Sequence, residues 1–313
     1  MAEPEVSTID SPASPPGEAS ERSPRTAVLR FVAAFVVLVM AFLVGYRYAM
    51  NSPANIWYLF QVARHTAWTL GVVGESGQVE PLHETSPVKW RADLAEWRAE
   101  RQGVDAVPTA VDESPLTAWE SWQWKAWSRI RDGETIAEDG PIVRFVLVEG
   151  LGPKQVALRR QIEEMKAAAR TSGEDRSATI AGMEKRLGEI AQEIESYPQG
   201  PVRNQANRGE QFSFHVVPDC GAIPSMSIFL AAVLAFPTLW WKRLAGAVGG
   251  IAILYGVNIV RLSTLGYIGA LDDSPGRKWF TFAHEYVWQG VFIVFVVAVW
   301  MLWIEWLVRP RRA

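Results

Sequence analysis

The sequence predicts a mainly α protein, a multi-pass transmembrane helical bundle that carries an extracytoplasmic α/β insertion containing an antiparallel helical hairpin. Three observations carry this. Apolar residues crowd into Ala27 to Tyr46 and into Ile223 to Val308, and the stretch between them is rich in Arg, Glu and Asp. The 15 tryptophans suit a chain with several lipid–water boundaries, where an amphipathic ring is at home. A net charge of -3 without a concentrated basic stripe argues against nucleic acid as a partner. The single cysteine, Cys220, excludes an intrachain disulfide.

Residues 1–26 are dominated by Ser, Pro, Glu and Ala and bury too little apolar surface to offset the entropy of ordering, so a disordered cytoplasmic tail is expected. Residues 27–50 form the first transmembrane helix, with FVAAFVVLVMAFLVGY at its heart, long enough for a hydrocarbon core of about 30 Å. Arg22, Arg25 and Arg30 before it favour a cytoplasmic N-terminus, and the lack of a small-x-small cleavage pattern makes it a retained anchor. Residues 54–74 are apolar but hold Arg64 and His65 at their centre. One arginine at bilayer mid-depth costs about 2.5–3.5 kcal/mol, which places this helix on the outer interface rather than across the membrane.

The insertion spans 81–209. Two short amphipathic helices are expected around Lys89 to Glu100 and Pro115 to Arg131; Trp119, Trp122, Trp127 and Ile130 share a face of the second, as core or as a membrane-docking surface. Ile142 to Val148 reads as a strand. Leu158, Ile162, Met165 and Ala169, then Ile180, Met183, Leu187, Ile190 and Ile194, recur at alternating four and three spacing around the polar TSGEDRS. That pattern predicts a helical hairpin over 154–196, either a spacer or a docking arm for a protein partner. Residues 210–308 form the membrane core, with transmembrane helices at about 222–240, 244–268 and 286–308. Lys242 and Arg243, and Arg309, Arg311 and Arg312, mark cytoplasmic ends, so four crossings leave the insertion outside.

Depth then brings distant residues together. Cys220 lies at the outer mouth of the second span and His284 at that of the fourth. Arg261, 17 residues beyond Leu244, stands about 26 Å up a core of about 30 Å. A cysteine attacks a carbonyl carbon as its thiolate, which a nearby cation favours. His284 suits an ion-pair partner that later protonates the leaving amine, and Arg261 a cation for the oxyanion or a substrate carboxylate. Asn258, one helical turn before Arg261, is placed to brace the guanidinium. Each residue also has a plain structural reading: a small buried hydrophobe, an interfacial ring, a snorkelling cation, an interhelical hydrogen bond. His65, His83 and His215 show no metal-ligand spacing and no phosphate-cradling glycine loop occurs, so neither a metal nor a cofactor is expected.

The blocks FHVVPDCGAI, AFPTLWWKRLAGAVGG, NIVRLSTL and FAHEYVWQG resemble successive blocks of the exosortase/archaeosortase family, the last being most similar to the exosortase H-like branch. The resemblance is close over Phe212 to Trp303, loose over Leu29 to Val79, and skips the large extracytoplasmic insertion. It implies a bacterial inner-membrane cysteine protease or transpeptidase with its active site on the extracytoplasmic side. Such an enzyme cuts C-terminal sorting signals of exported proteins through a thioester and passes the acyl group to an acceptor nucleophile. Cys220 would be the nucleophile, Arg261 the stabilising cation and His284 the acid/base. Two departures stand out: Gly221 and Ala222 follow the cysteine where the family has Ser or Thr and then Gly, and the insertion splits a β-hairpin between Gln78 to Leu82 and Gln211 to Val217. The competing expectation is a catalytically degenerate, sortase-like membrane scaffold that assembles secretion or surface-polymer machinery through the insertion.

Overall fold

The computed structural model describes residues 24–81, 87–103, 114–172, 175–272, 274 and 276–309. The tail before residue 24 with Arg22, as well as His83, Arg311 and Arg312, lies outside the described residues. The elements run α1 (Pro24–Ala49), α2 (Pro53–Val73), β1 (Ser76–Glu80), α3 (Pro87–Gln102), α4 (Ala118–Arg131), β2 (Ile142–Glu149), α5 (Leu151–Ser172), α6 (Ser177–Ser196), α7 (Pro201–Arg208), β3 (Gly209–His215), α8 (Ile223–Ala235) and α9 (Trp240–Leu271). A last helix, α10 (Lys278–Val308), contains π-helical turns at Ala283–Val287 and Ile304–Val308.

Three helices, α1, α9 and α10, are long and apolar enough to cross a membrane. Their large apolar side chains stay exposed, among them Val37 of α1, Val248 of α9 and Ile293 of α10. A face of that kind has lipid as its natural solvent, so the protein is a helical membrane protein. The second expected span differs. In place of 222–240 there is α8, an apolar helix of 13 residues, short of the roughly 20 that a crossing needs. Pro237 ends it, because the residue before a proline is driven out of the α region; Phe236 is extended at φ -68°, ψ 131°. The spans expected at 244–268 and 286–308 are both longer, since α9 and α10 continue beyond the apolar run into the sheet layer and its adjoining loop.

Two apolar clusters stack along the bundle. One is wholly helical, with Phe229 and Val233 of α8, Ala247 and Leu254 of α9, and Phe292, Val299 and Trp303 of α10. Gly250 sets its closest approach: a methyl there would collide with the Phe229 ring. The other cluster lies between α2, the upper half of α9 and a three-stranded antiparallel sheet, with Val62, Leu70, Val143, Phe145, Val216, Cys220, Ile259 and Leu262. Tyr255 packs against both.

The sheet overturns the split-hairpin expectation. Its order is β1-β2-β3, so the two strands expected to pair lie on opposite sides of β2, which comes from the insertion. Val143 and Phe145 alternate inward from β2 and are fully buried, the pattern of a strand with one face on a core. The insertion also covers α2. Thr117 and Glu120 form a capping box that starts α4; Trp122 is 2% exposed and its indole N–H donates to the Ile56 carbonyl at 3.0 Å. Trp119, Trp127 and Ile130 pack on the same cluster, so the tryptophan face is core. α5 and α6 pack against each other, and Lys166 meets Glu184 at 3.0 Å across the seam.

Candidate functional site

Cys220 sits in a single 3-10 turn, Pro218–Gly221, between β3 and α8. The residues dictate this break. Pro218 suits the first position of a helical turn, the Cys220 N–H donates to the Val217 carbonyl at 2.8 Å, and Ala222 then reverses the chain in the left-handed region at φ 57°, ψ 13°. Three side chains from other elements hold the turn by its carbonyls. Asn258 Nδ2 of α9 donates to the Cys220 carbonyl at 2.8 Å, the Tyr58 hydroxyl of α2 to that of Gly221 at 2.6 Å, and the Tyr46 hydroxyl of α1 to that of Pro218 at 3.4 Å. Asn258 therefore fixes the cysteine turn through its amide N–H and does not brace Arg261 as its spacing suggested: its Oδ1, the atom that could accept from the guanidinium, is buried without a hydrogen-bond partner.

Arg261 is the member that both others sense. Its charge interacts with the thiol of Cys220 and, on the other side, with the imidazole of His284. The guanidinium carbon lies 6.0 Å from the Phe292 ring centroid, and its Nε is buried without a hydrogen-bond partner. No salt bridge or hydrogen bond of Arg261 occurs among the described residues, so the cation is available to an anionic group. His284 lies in the π-helical turn Ala283–Val287, its ring parallel to that of Phe280 at 5.9 Å. A π turn rotates the residues it contains relative to a regular helix and is a frequent device at functional sites. Cys220 and His284 thus each feel the charge of Arg261, and no hydrogen bond links Cys220 to His284 among the described residues.

The electrostatics of the thiol run against the expected activation. Burial pushes the Cys220 thiol above its ordinary value, the Arg261 guanidinium pulls it back only in part, and Asp219 adds to the rise. The side chain is 7% exposed. Its chain neighbours Asp219 and Ala222 face a cavity of about 460 Å³ between α8 and α10, whose far wall is apolar, with Ile228, Phe292 and Val296, and whose head holds Arg261 and Gln289. Cys220 itself is buried and does not line this cavity.

Asp219, Ser225 and Gln289 line the cavity with Arg261, and Tyr58 and Tyr255 buttress the turn. Only proximity in sequence to Cys220 or His284 could have marked Asp219, Ser225 and Gln289; the tyrosines carried no sequence signal. His65, in the helix expected on the outer interface, has its Nδ1 2.7 Å from the Tyr255 hydroxyl, while Arg64 is exposed.

Residues 202–304 match the family model described as transmembrane exosortase (Exosortase_EpsH). The matched stretch contains the cysteine turn, Arg261 and His284 and excludes α1 to α6. No curated protein and no solved structure matches the chain.

Proposed function

We propose that this chain, an exosortase-family membrane protein over residues 202–304, is a cysteine peptidase or transpeptidase that processes C-terminal sorting signals of exported proteins. It would lie in the bacterial inner membrane with its sheet on the extracytoplasmic side. The family is broadly linked to sorting-signal processing, which carries the coarse reading. The finer one rests on a single observation: an unpartnered guanidinium at the head of an apolar cavity, next to the only thiol in the chain. The apolar wall of Ile228, Phe292 and Val296 suits the membrane-embedded part of a substrate, which would bring its scissile carbonyl to the polar head. The Cys220 thiolate then bonds to the carbonyl carbon, Arg261 stabilises the oxyanion, and collapse of the intermediate expels the amine with a proton from His284. The resulting thioester is released to an acceptor nucleophile.

Cys220→Ala is expected to abolish processing of a co-expressed tripartite substrate, followed by its size on a gel, while the protein stays in the membrane. Unimpaired processing by that variant overturns the mechanism. The buried, upward-shifted thiol favours a second reading, a scaffold on a degenerate sortase-like core, in which α5 and α6 dock a protein partner. It is distinguished by wild-type Cys220 resisting alkylation near neutral pH even with substrate present.

A further inference from the structure

The sheet ends at β3, and the far edge of that strand has no strand partner among the described residues. In an antiparallel pair, residues alternate between those bonded to the neighbouring strand and those turned away. The Val216 N–H donates to the Pro141 carbonyl at 3.0 Å, and the register is regular from there to Gln211, so Phe214 and Phe212 also face β2. The N–H and C=O groups of Gln211, Ser213 and His215 therefore point outward, and none has a backbone partner there among the described residues. Ser213 and His215 are exposed. An open row of this kind is a template for another strand, and soluble folds ordinarily block it with proline, charge or a bulge. Here the register shift puts its extra residue, Leu147, in β2 and leaves β3 continuous from Glu210 to His215.

A cavity of about 690 Å³ lies beside β3 and extends across one face of the sheet, lined by Gln211 and Ser213 of β3, Arg144 of β2 and Glu80 of β1, together with Arg208 and Arg277. Three guanidinium groups thus face one carboxylate. Glu80 is engaged by Arg144 at 3.1 Å. Arg277 donates to the Gly269 carbonyl and lies 4.6 Å over the Phe212 ring, contacts that place its charge without neutralising it. Arg208 is exposed and has no hydrogen bond or ion pair among the described residues. A ligand that satisfies both features must offer alternating backbone donors and acceptors together with negative charge.

We propose that the β3 edge and this arginine-lined cavity dock an extended acidic polypeptide segment, which joins the sheet as a fourth strand. His215 is five residues before Cys220, so a segment paired with β3 is led toward the cysteine turn. That this segment belongs to the protein being processed rests on the function proposed above; the docking itself does not. The central strand and α7, both supplied by the insertion, would thereby select the substrate.

Direct binding to the full-length Cys220→Ala protein in nanodiscs tests this without catalysis. The probe is a fluorescein-labelled octapeptide of alternating Thr and Glu, compared by anisotropy with its Thr/Lys counterpart. The Glu peptide is expected to bind about tenfold tighter, and Arg208→Glu to weaken it about tenfold. Ser213→Pro, which removes an outward N–H but no bond to β2, is expected to weaken it similarly. Equal binding of the two peptides, or an Arg208→Glu protein with unchanged affinity for the Glu peptide, overturns the proposal. Arg208 is exposed, so that arm stands even if Ser213→Pro does not fold. An inert Cys220 would sink the peptidase reading and leave these affinities intact; lost peptide preference with processing retained would sink only the docking.

Discussion

Ala222 is held in a backbone conformation that costs an L-residue roughly 1–2 kcal/mol relative to the right-handed region, and it is buried there at 3% exposure. The resembling family's pattern has glycine at this place, so a departure visible in the sequence becomes a local strain in the turn beside the thiol. Ala222→Gly should raise stability by about 0.5–1 kcal/mol, once the greater freedom of unfolded glycine is set against the relieved strain; the thermal midpoint of the solubilised protein checks it. Arg261 acts on the same thiol by charge. Removing it in Arg261→Gln leaves the Cys220 thiol further above its ordinary value, so less thiolate exists at any given pH. The pH profile of Cys220 alkylation should move to the alkaline side, with the rate at pH 8 falling about tenfold per unit of that displacement. A profile that does not move would show that the guanidinium does not serve the thiol.

Between residue and molecule stands the junction that delivers His284. Asp272, just past α9, ties down the start of α10: its carboxylate accepts from the Ser274 N–H at 3.1 Å, the Ser274 hydroxyl at 2.5 Å and the Phe280 N–H at 2.9 Å, and Phe280 stacks on His284. Burial alone would raise the Asp272 carboxyl, but these hydrogen bonds outweigh it and hold it below the usual range. A carboxyl depressed by folding contributes stability above its unfolded value of about 3.9, and that stability is lost as pH falls through the folded value. The protection factor of the Phe280 amide against hydrogen exchange should therefore fall below about pH 4, and Asp272→Ala should show weak protection, and so fast exchange, at neutral pH as well. Slow exchange in that variant would mean that the ring stack, not the carboxylate, fixes the helix start.

At the scale of the molecule, the insertion is two things. One is structural: β2 and α4 complete the core over α2, so deleting residues 87–203 removes the central strand and leaves β1 and β3 without a partner. The other is an excursion. β2 and β3 are antiparallel neighbours, and Glu149 pairs with Gly209, so α5 to α7 form the long loop of a β-hairpin. Replacing residues 151–199 by a short Gly-Ser link should keep the fold and the wild-type alkylation rate of Cys220. Altered substrate selection with an intact thiol rate would make the helical pair a docking arm; unchanged selection would make it a spacer.

Hydropathy and periodicity by themselves determined the membrane class, α1, α9 and α10, the strand at β2, and the repeats that became α5 and α6, because each depends on residues close together along the chain. The order of Cys220, Arg261 and His284 along the chain was equally legible. What only the tertiary structure decided was which groups meet. Asn258 shows this: its helical face was readable, but its partner is a carbonyl 38 residues away, exposed by a turn that Ala222 closes. The place of β2 between β1 and β3 was likewise hidden, because strand order follows from long-range hydrogen bonding and the burial of Val143 and Phe145, and no local pattern records it. The state of the thiol belongs to the same class: how far burial outweighs Arg261 is set by the atoms packed around the sulfur, which are drawn from distant parts of the chain.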